Sequence, residues 1–454
     1  MPASLDADVL APLRQRLTAA NHAFAAAFPG DSPARQPVHT VYGGAHLFKA
    51  DTSKKMAQLA LKHLDEYGPD ARVFGEALGI PSGAAFAETL YARVREKLTR
   101  EAVEDFRIDF EDGYGNRPDA EEDAQAEIAA RETAAGMAAG TLPPFVGIRV
   151  KPLTDELAGR AIRTLDLFVT TLCAQTGARL PEPFVVTLPK VTHVAQVTTL
   201  VHLFELLEAR TGLPRGALKM ELMIETTQAI FGADGQLAIP LLVRAGQGRV
   251  SACHFGTYDY TATCNITAAF QKIDHPACDF ATALMQIALA GTGVALSDGA
   301  TTIMPIPPNR AKAGETLSSD QLAENRRAVH RAWKLVYDNV HHALERGVYQ
   351  GWDLHPGQLA ARYAAIYAFF GESFASASLR LKNFIDAAAK ATLVGDTFDD
   401  AATGQGLLNY FLRGLNCGAV TEAEVLGTGL TLEELRTRSF VKILAGRRAK
   451  AGQA

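Results

Sequence analysis

Cysteine is scarce and poorly placed for a structural role. The five thiols, Cys173, Cys253, Cys264, Cys278 and Cys417, are odd in number and never spaced as CxxC. That pattern excludes a disulfide framework and a thiolate zinc site, and leaves reduced thiols in a cytoplasm as the expectation. Positive charge is not in excess either: 45 Lys and Arg stand against 50 Asp and Glu, a net charge of −5. Neither a nucleic acid nor an anionic membrane is therefore expected as a partner. No window approaches the roughly 18 uninterrupted apolar residues of a bilayer span. The opening MPASLDADVLAPLRQR carries acids and has no apolar h-region, so a secretory leader is not expected. No internal repeat is present, and neither is a GxGxxG turn after the first strand candidate or a Gly-rich loop fit to cradle phosphates.

What is there is a long alternation of two patterns. At 454 residues the chain has room for a barrel of about 250 residues with appendages. Residues 4–28 read as an amphipathic helix ending before Pro29-Gly30. Short runs rich in Val, Ile, Phe and Thr then alternate with longer helical stretches. The runs are HTVYGG (39–44), FRIDF (106–110), FVGIRV (145–150), FVVTL (184–188), KMELMIE (219–225), VSACHFG (250–256), TTIMPI (301–306) and GWDLH (351–355). Most lack strict polar alternation, as strands buried on both faces should. Between them lie helix patterns such as AAFQKIDHPACDFATALMQIALAG (268–291) and a stretch from Ser319 to a stop at Gly347, with a helical insertion near 81–104. Eight strands with intervening helices predict a (β/α)8 TIM barrel, with a doubly wound open sheet as the competing layout. The expected division is a helical segment over 1–36, the barrel over 37–375 and an all-helical C-terminal cap over 376–454.

If the fold is a barrel, chemistry belongs where the strands end. Strand two, in FRIDFEDGYGNR (106–117), runs into Glu111 and Asp112; strand three carries Arg149; strand four leads to Lys190; strand five ends at Glu225; strand six runs into Asp259. Glu225 and Asp259 would sit on adjacent strands, close enough to share one cation. Two carboxylates without a His or Cys neighbour favour a hard ion with open positions, Mg2+ or alternatively Mn2+. The plainer reading makes them solvated loop acids or helix N-caps. Arg149, inside an apolar strand, suits a carboxylate or a developing oxyanion, or equally a buried partner for Glu111 or Asp112. Lys190 reads by itself more readily as a solvated or structural charge. His254, His275 and His355 lack spaced partners and read as core or hydrogen-bonded residues rather than ligands.

These segments resemble the malate synthase and citrate lyase β-subunit superfamily, with its HpcH/HpaI-type aldolases. IDFEDG, GIRVKP, LPKV, MIET, FGTYDY and GWDLHPGQL are similar to its motifs and stand in the family's order over roughly 105–365. The resemblance implies Glu225 and Asp259 as metal ligands, Arg149 as the oxyanion-stabilising residue, and Gly256 and Thr257 as substrate-binding positions. Glu111, Asp112 and Lys190 would stand behind the ion, fixing the Arg fork and water molecules. Further on, FDDAATGQGLLNYFLRGLNCGAV (398–420) resembles the malate synthase C-terminal stretch and places the family's catalytic base on Asp400, where an N-cap is the alternative. The chain departs from malate synthases after Arg149, where it reads VKPL, and after Asp259, where it reads YTATC.

The implied activity is Mg2+-dependent carbon–carbon cleavage of a 2-oxo acid or hydroxyacyl-CoA substrate through an enolate. A malate synthase-like condensation of an acyl-CoA with a 2-oxo acid is the runner-up, and a non-catalytic metal-binding scaffold the third reading. Identity of the substrate, use of coenzyme A and net direction stay open at this point; a homo-oligomer is expected.

Overall fold

The computed structural model describes residues 5–451, except positions 31, 33, 81, 82, 313, 387–391, 395, 396, 400 and 438. Eight strands follow one another around a closed, all-parallel barrel. They are β1 (His39–Gly44), β2 (Asp105–Asp109), β3 (Phe145–Arg149), β4 (Phe184–Leu188), β5 (Lys219–Ile224), β6 (Val250–Phe255), β7 (Ala295–Ala300) and β8 (Gln350–Asp353). Closure is made by β1 on β8, with His39 opposite Gly351. Parallel pairing needs a crossover between successive strands, and the helical stretches supply it. The expected helix over 4–28 is present as Ala7–Ala27, with Val9, Leu13, Leu17 and Phe24 all exposed. No helix among the described residues is long and apolar enough to cross a membrane.

Strand β2 shows how the barrel is filled. Its residues are all buried, yet it alternates acid or base with apolar side chains. Phe106 packs outward against Phe48, and Phe110, just past the strand, against Phe168. Asp105 and Arg107 have the opposite phase and meet partners inside the barrel. Arg107 donates from Nε to Glu221 Oε2 of β5 at 2.9 Å and from its Nη atoms to Glu221 and Asp105. Thr187 adds a 3.0 Å bond to Glu221, and Thr40 a 2.8 Å bond to Asp105. Above this layer the Tyr42 hydroxyl lies 3.4 Å from His254 Nδ1. The lumen is thus a column of paired charges within a sheath of apolar contacts.

The seventh strand is not where the sequence places it. Thr301–Ile306 forms no strand, and Ile303, Met304 and Ile306 are exposed; the strand is ALSDGA, residues 295–300. Asp298-Gly299 reads as a turn, but Gly299 is needed in the strand because a Cβ there would run into Thr257 Oγ1 and the Phe255 carbonyl. Asp298 is buried and accepts a 2.8 Å bond from the Gly299 N–H. Burial pushes its carboxyl up from 3.8 to about 6. A carboxyl that is harder to ionise in the folded state costs stability as pH rises. The loss begins near the unfolded value and is complete above about 6, where it amounts to about 3 kcal/mol. Asp298→Asn is therefore expected to raise Tm at pH 8, with the gain vanishing near pH 4, as thermal melts at the two pH values would read.

One further correction concerns a helix. The stretch 268–291 is not one helix: a 3-10 turn spans Ala268–Phe270, and the helix runs only over Pro276–Leu289. Pro276 suits a first turn but not a helix interior, and His275 Nδ1 caps it by accepting from the Ala277 N–H at 3.1 Å. After the barrel, helix Leu359–Asp386 is continuous through position 375. The C-terminal part is then helical with one addition, an antiparallel pair of β9 (Thr392–Val394) with β10 (Thr397–Asp399). Its runs TLV and TFD flank Gly395-Asp396, a hairpin signature in the sequence. Helix Ala401–Asn416 packs Leu408 and Phe411 into the core. Its Arg413 Nη1 donates to Gln36 Oε1 at 2.8 Å, and Gln36 Nε2 donates in turn to Gln350 Oε1, where β8 starts. This anchors the helix at the N-terminal mouth of the barrel and leaves the C-terminal rim to the βα loops.

Candidate active site

The C-terminal rim gathers the charges that the lumen has not paired. Asp109, last in β2, lies directly opposite Arg149, last in β3. The register lets the carboxylate take the guanidinium in bidentate fashion: Nε to Oδ1 at 2.7 Å and Nη2 to Oδ2 at 2.6 Å. Asp109 also accepts the N–H of Glu111 at 2.9 Å and of Gly113 at 2.7 Å. Gly113 is required there, since a Cβ would come within 2.5 Å of Asp109 Oδ2. Burial alone would push the Asp109 carboxyl up, but Arg149 and the two backbone donors hold it below the ordinary range.

Arg149 is only 3% exposed and lies over the Tyr42 ring at 4.8 Å and the Trp352 ring at 5.5 Å. Its remaining nitrogen, Nη1, is 2.9 Å from Glu111 Oε2, an oxygen with no aligned hydrogen bond among the described residues. The buried indole Nε1 of Trp352 likewise has no partner among them, which leaves it as a donor for a ligand.

Lys190, just past β4, is the hub. Its backbone is left-handed, with φ 50°, and its N–H donates to Glu225 Oε1 at 2.7 Å. Its ammonium lies 2.5 Å from Glu111 Oε1, 3.4 Å from Asp112 Oδ2 and 3.6 Å from Asp259 Oδ2. Glu225 follows β5 and is 2% exposed. Burial, then the nearby Asp259 and Glu111, push its carboxyl up to about 7 against the pull of Lys190 and Arg149. Gly256 makes room for it, because a Cβ there would collide with the Glu225 carboxylate. Asp259 stands in the first turn of helix Thr257–Thr263 with its side chain 43% exposed. Thr257 is buried against Gly299, its hydroxyl without a hydrogen-bond partner among the described residues.

The rim therefore brings Glu111, Asp112, Arg149, Lys190, Glu225, Gly256 and Asp259 together. Asp400 lies outside the described residues. The donor set suits a hard divalent ion: four carboxylates, Glu111, Asp112, Glu225 and Asp259, surround one ammonium, and Arg149 is offset by Asp109. Among the described residues no three acidic, imidazole or thiol groups already converge on a point. Lys190 stands between them.

The Arg149 fork, expected on Glu111 or Asp112, is taken by Asp109, while Glu111 meets its third nitrogen. Asp112 instead points away, with 65% of its side chain exposed. The signal was available in the alternation of Asp105, Arg107, Asp109 and Glu111 at every second residue. Tyr42 and Trp352, the rings under Arg149, carried no comparable mark.

Comparison with known proteins gives similarity at the level of the fold. A citrate lyase from Burkholderia xenovorans LB400 shares 18% identity, covers 88% of this chain and 98% of its own, and has a TM-score of 0.56. The CitE protein of Mycobacterium tuberculosis, in complex with magnesium, acetoacetate and coenzyme A, shares 14% identity over 85% of this chain and 100% of its own, at a TM-score of 0.48. Haloferax volcanii malate synthase, with magnesium and glyoxylate, shares 15% identity over 74% of this chain and 76% of its own, at 0.46. No curated protein matches. The family model described as "Domain of unknown function (DUF6986)" matches residues 17–443, and the chain belongs to that family.

Proposed function

We propose that this protein is a Mg2+-dependent carbon–carbon lyase acting on a 2-oxo acid or a hydroxyacyl-CoA. One observation supports the reading: at neighbouring strand ends beside a clamped arginine, Glu225 takes the backbone N–H of Lys190 and Asp259 lies 3.6 Å from the ammonium of the same residue. Glu225 and Asp259 would hold Mg2+, or Mn2+, which supplies Lewis-acid polarisation of a substrate carbonyl. Arg149, immobilised by Asp109 and by the rings of Tyr42 and Trp352, is preorganised to stabilise negative charge developing on a substrate oxygen. Glu111 and Lys190 hold the rim loops at fixed spacing, and Gly256 and Thr257 form the floor beside Glu225. In cleavage the breaking C–C bond leaves its electron pair on the enolate; the proton delivered to that carbon is assigned to the carboxyl of Asp400 of a second copy of this chain, since the helix that follows Asp400 is anchored at the N-terminal mouth of its own barrel. Run in reverse, the same carboxylate would remove a proton from an acyl α-carbon, a malate synthase-like condensation that the FDDAAT segment favours.

A thermal-shift series tests the reading. Mg2+ with a small 2-oxo acid is expected to raise Tm, by the equivalent of about 2.7 kcal/mol at 100 times Kd. The 2-oxo acid without metal should do far less. A further rise with an acyl-CoA thioester would assign the reaction to thioester chemistry, and its absence to a plain aldolase. A protein indifferent to every combination would be a scaffold, and the lyase reading would be wrong.

A further inference from the structure

Lys190 combines features that a solvated lysine does not need. A non-glycine residue held at φ 50° is uncommon, and the conformation here turns its N–H onto Glu225. From the same residue the ammonium reaches Glu111 and Asp112 beyond β2, and Asp259 beyond β6. One residue thus ties together rim segments that follow three other strands, β5 through its backbone N–H and β2 and β6 through its side chain. Without that charge, four carboxylates would crowd one rim with no offsetting cation among the described residues but an arginine already clamped by Asp109.

We propose that Lys190 is the built-in counter-ion of the carboxylate cluster: it keeps the rim assembled while no divalent cation is present, and its ammonium gives way from Asp259 when one binds. The inference rests on the reading that Glu225 and Asp259 hold the cation. Two positive charges a few ångströms apart in a half-buried site repel strongly. The lysine therefore lowers metal affinity while it stabilises the metal-free protein. Its backbone contact to Glu225 does not depend on the side chain, so a substitution separates charge from loop geometry.

Lys190→Met keeps much of the stem and removes the charge; Lys190→Arg keeps the charge. Isothermal titration with Mg2+ and melts of the metal-free proteins read the outcome. K190M is expected to bind Mg2+ about tenfold tighter than wild type or better. Its metal-free Tm should fall by a few degrees, and added Mg2+ should restore it. K190R should stay close to wild type in both measurements. If metal-free K190M does not fold, recovery of the fold on adding Mg2+ supports the same conclusion. A K190M protein that binds Mg2+ no more tightly than wild type, or that stays unfolded even with Mg2+, overturns the role of Lys190 and leaves the metal pair standing. A wild type that binds neither Mg2+ nor Mn2+ overturns the metal pair, and this role with it.

Discussion

Glu225→Gln is expected to abolish Mg2+ binding and turnover together while leaving the fold intact. The amide has the shape of the carboxylate, and its oxygen can still accept the Lys190 N–H that Glu225 takes at 2.7 Å. What disappears is the charge, and the protein holds that charge at a cost. Burial pushes the Glu225 carboxyl up to about 7, so the metal-free protein already gives up part of it at neutral pH. A neutral side chain should therefore leave the metal-free Tm unchanged or slightly higher. Stability and function then separate, which a merely structural carboxylate would not allow. If the lyase reading holds, kcat falls by about three orders of magnitude, because the electrophile is no longer activated, and excess substrate does not rescue it. Asp259→Asn should act in the same direction but be partly relieved by high Mg2+, since that side chain is more exposed. Steady-state kinetics across a Mg2+ titration measure both. A Glu225→Gln variant with wild-type kcat and wild-type metal dependence would end the assignment.

How far such a site can be read from sequence depends on what kind of information fixes it. Strands β1–β6 and β8 announce themselves as short runs between helical stretches, most of them apolar enough to be buried on both faces, although β2 alternates charge with apolar residues and β8 is partly polar. Strand β7 does not. Its Asp298-Gly299 is chemically a turn dipeptide, and only the close approach of Thr257 explains why glycine sits in a strand there. The carboxylates at strand ends are visible one by one, because barrel topology tells which end matters. Their assignment to partners depends on strand phase and register. Asp109 and Glu111 share the phase of Arg107, and Asp112 does not, but that Asp109 faces Arg149 is a statement about pairing across strands. The role of Lys190 is further out of reach. A left-handed lysine looks like any other lysine in a sequence, and its three carboxylate contacts come from segments more than 60 residues away.

Arg107→Met is expected to be the most damaging single substitution for stability. The guanidinium is 2% exposed and binds Glu221 through two nitrogens and Asp105 through a third. Removing it leaves two carboxylates in the lumen with, among the described residues, the hydroxyls of Thr40 and Thr187 and the imidazole of His254 as their polar side-chain neighbours. Breaking one side of a buried ionic network typically costs about 3–5 kcal/mol, because the survivors stay desolvated and unpaired. The sign of the pH dependence follows from the same groups. In the wild type Arg107 holds Glu221 ionised, whereas burial pushes Asp105 up. In the variant both carboxyls titrate above their unfolded values, so the folded state binds the extra protons. The deficit is then largest above neutral pH and shrinks as pH falls toward the ordinary carboxyl range. Asp105→Asn and Glu221→Gln added to Arg107→Met should recover most of the loss, since the amides need no counter-charge. Damage should also spread upward, because His254 links Glu221 to Tyr42, and the Tyr42 ring supports Arg149. Melts of the single and triple variants at pH 5 and pH 8 decide the matter. Equal deficits at both pH values, or no recovery in the triple variant, would mean that Arg107 contributes packing volume rather than charge.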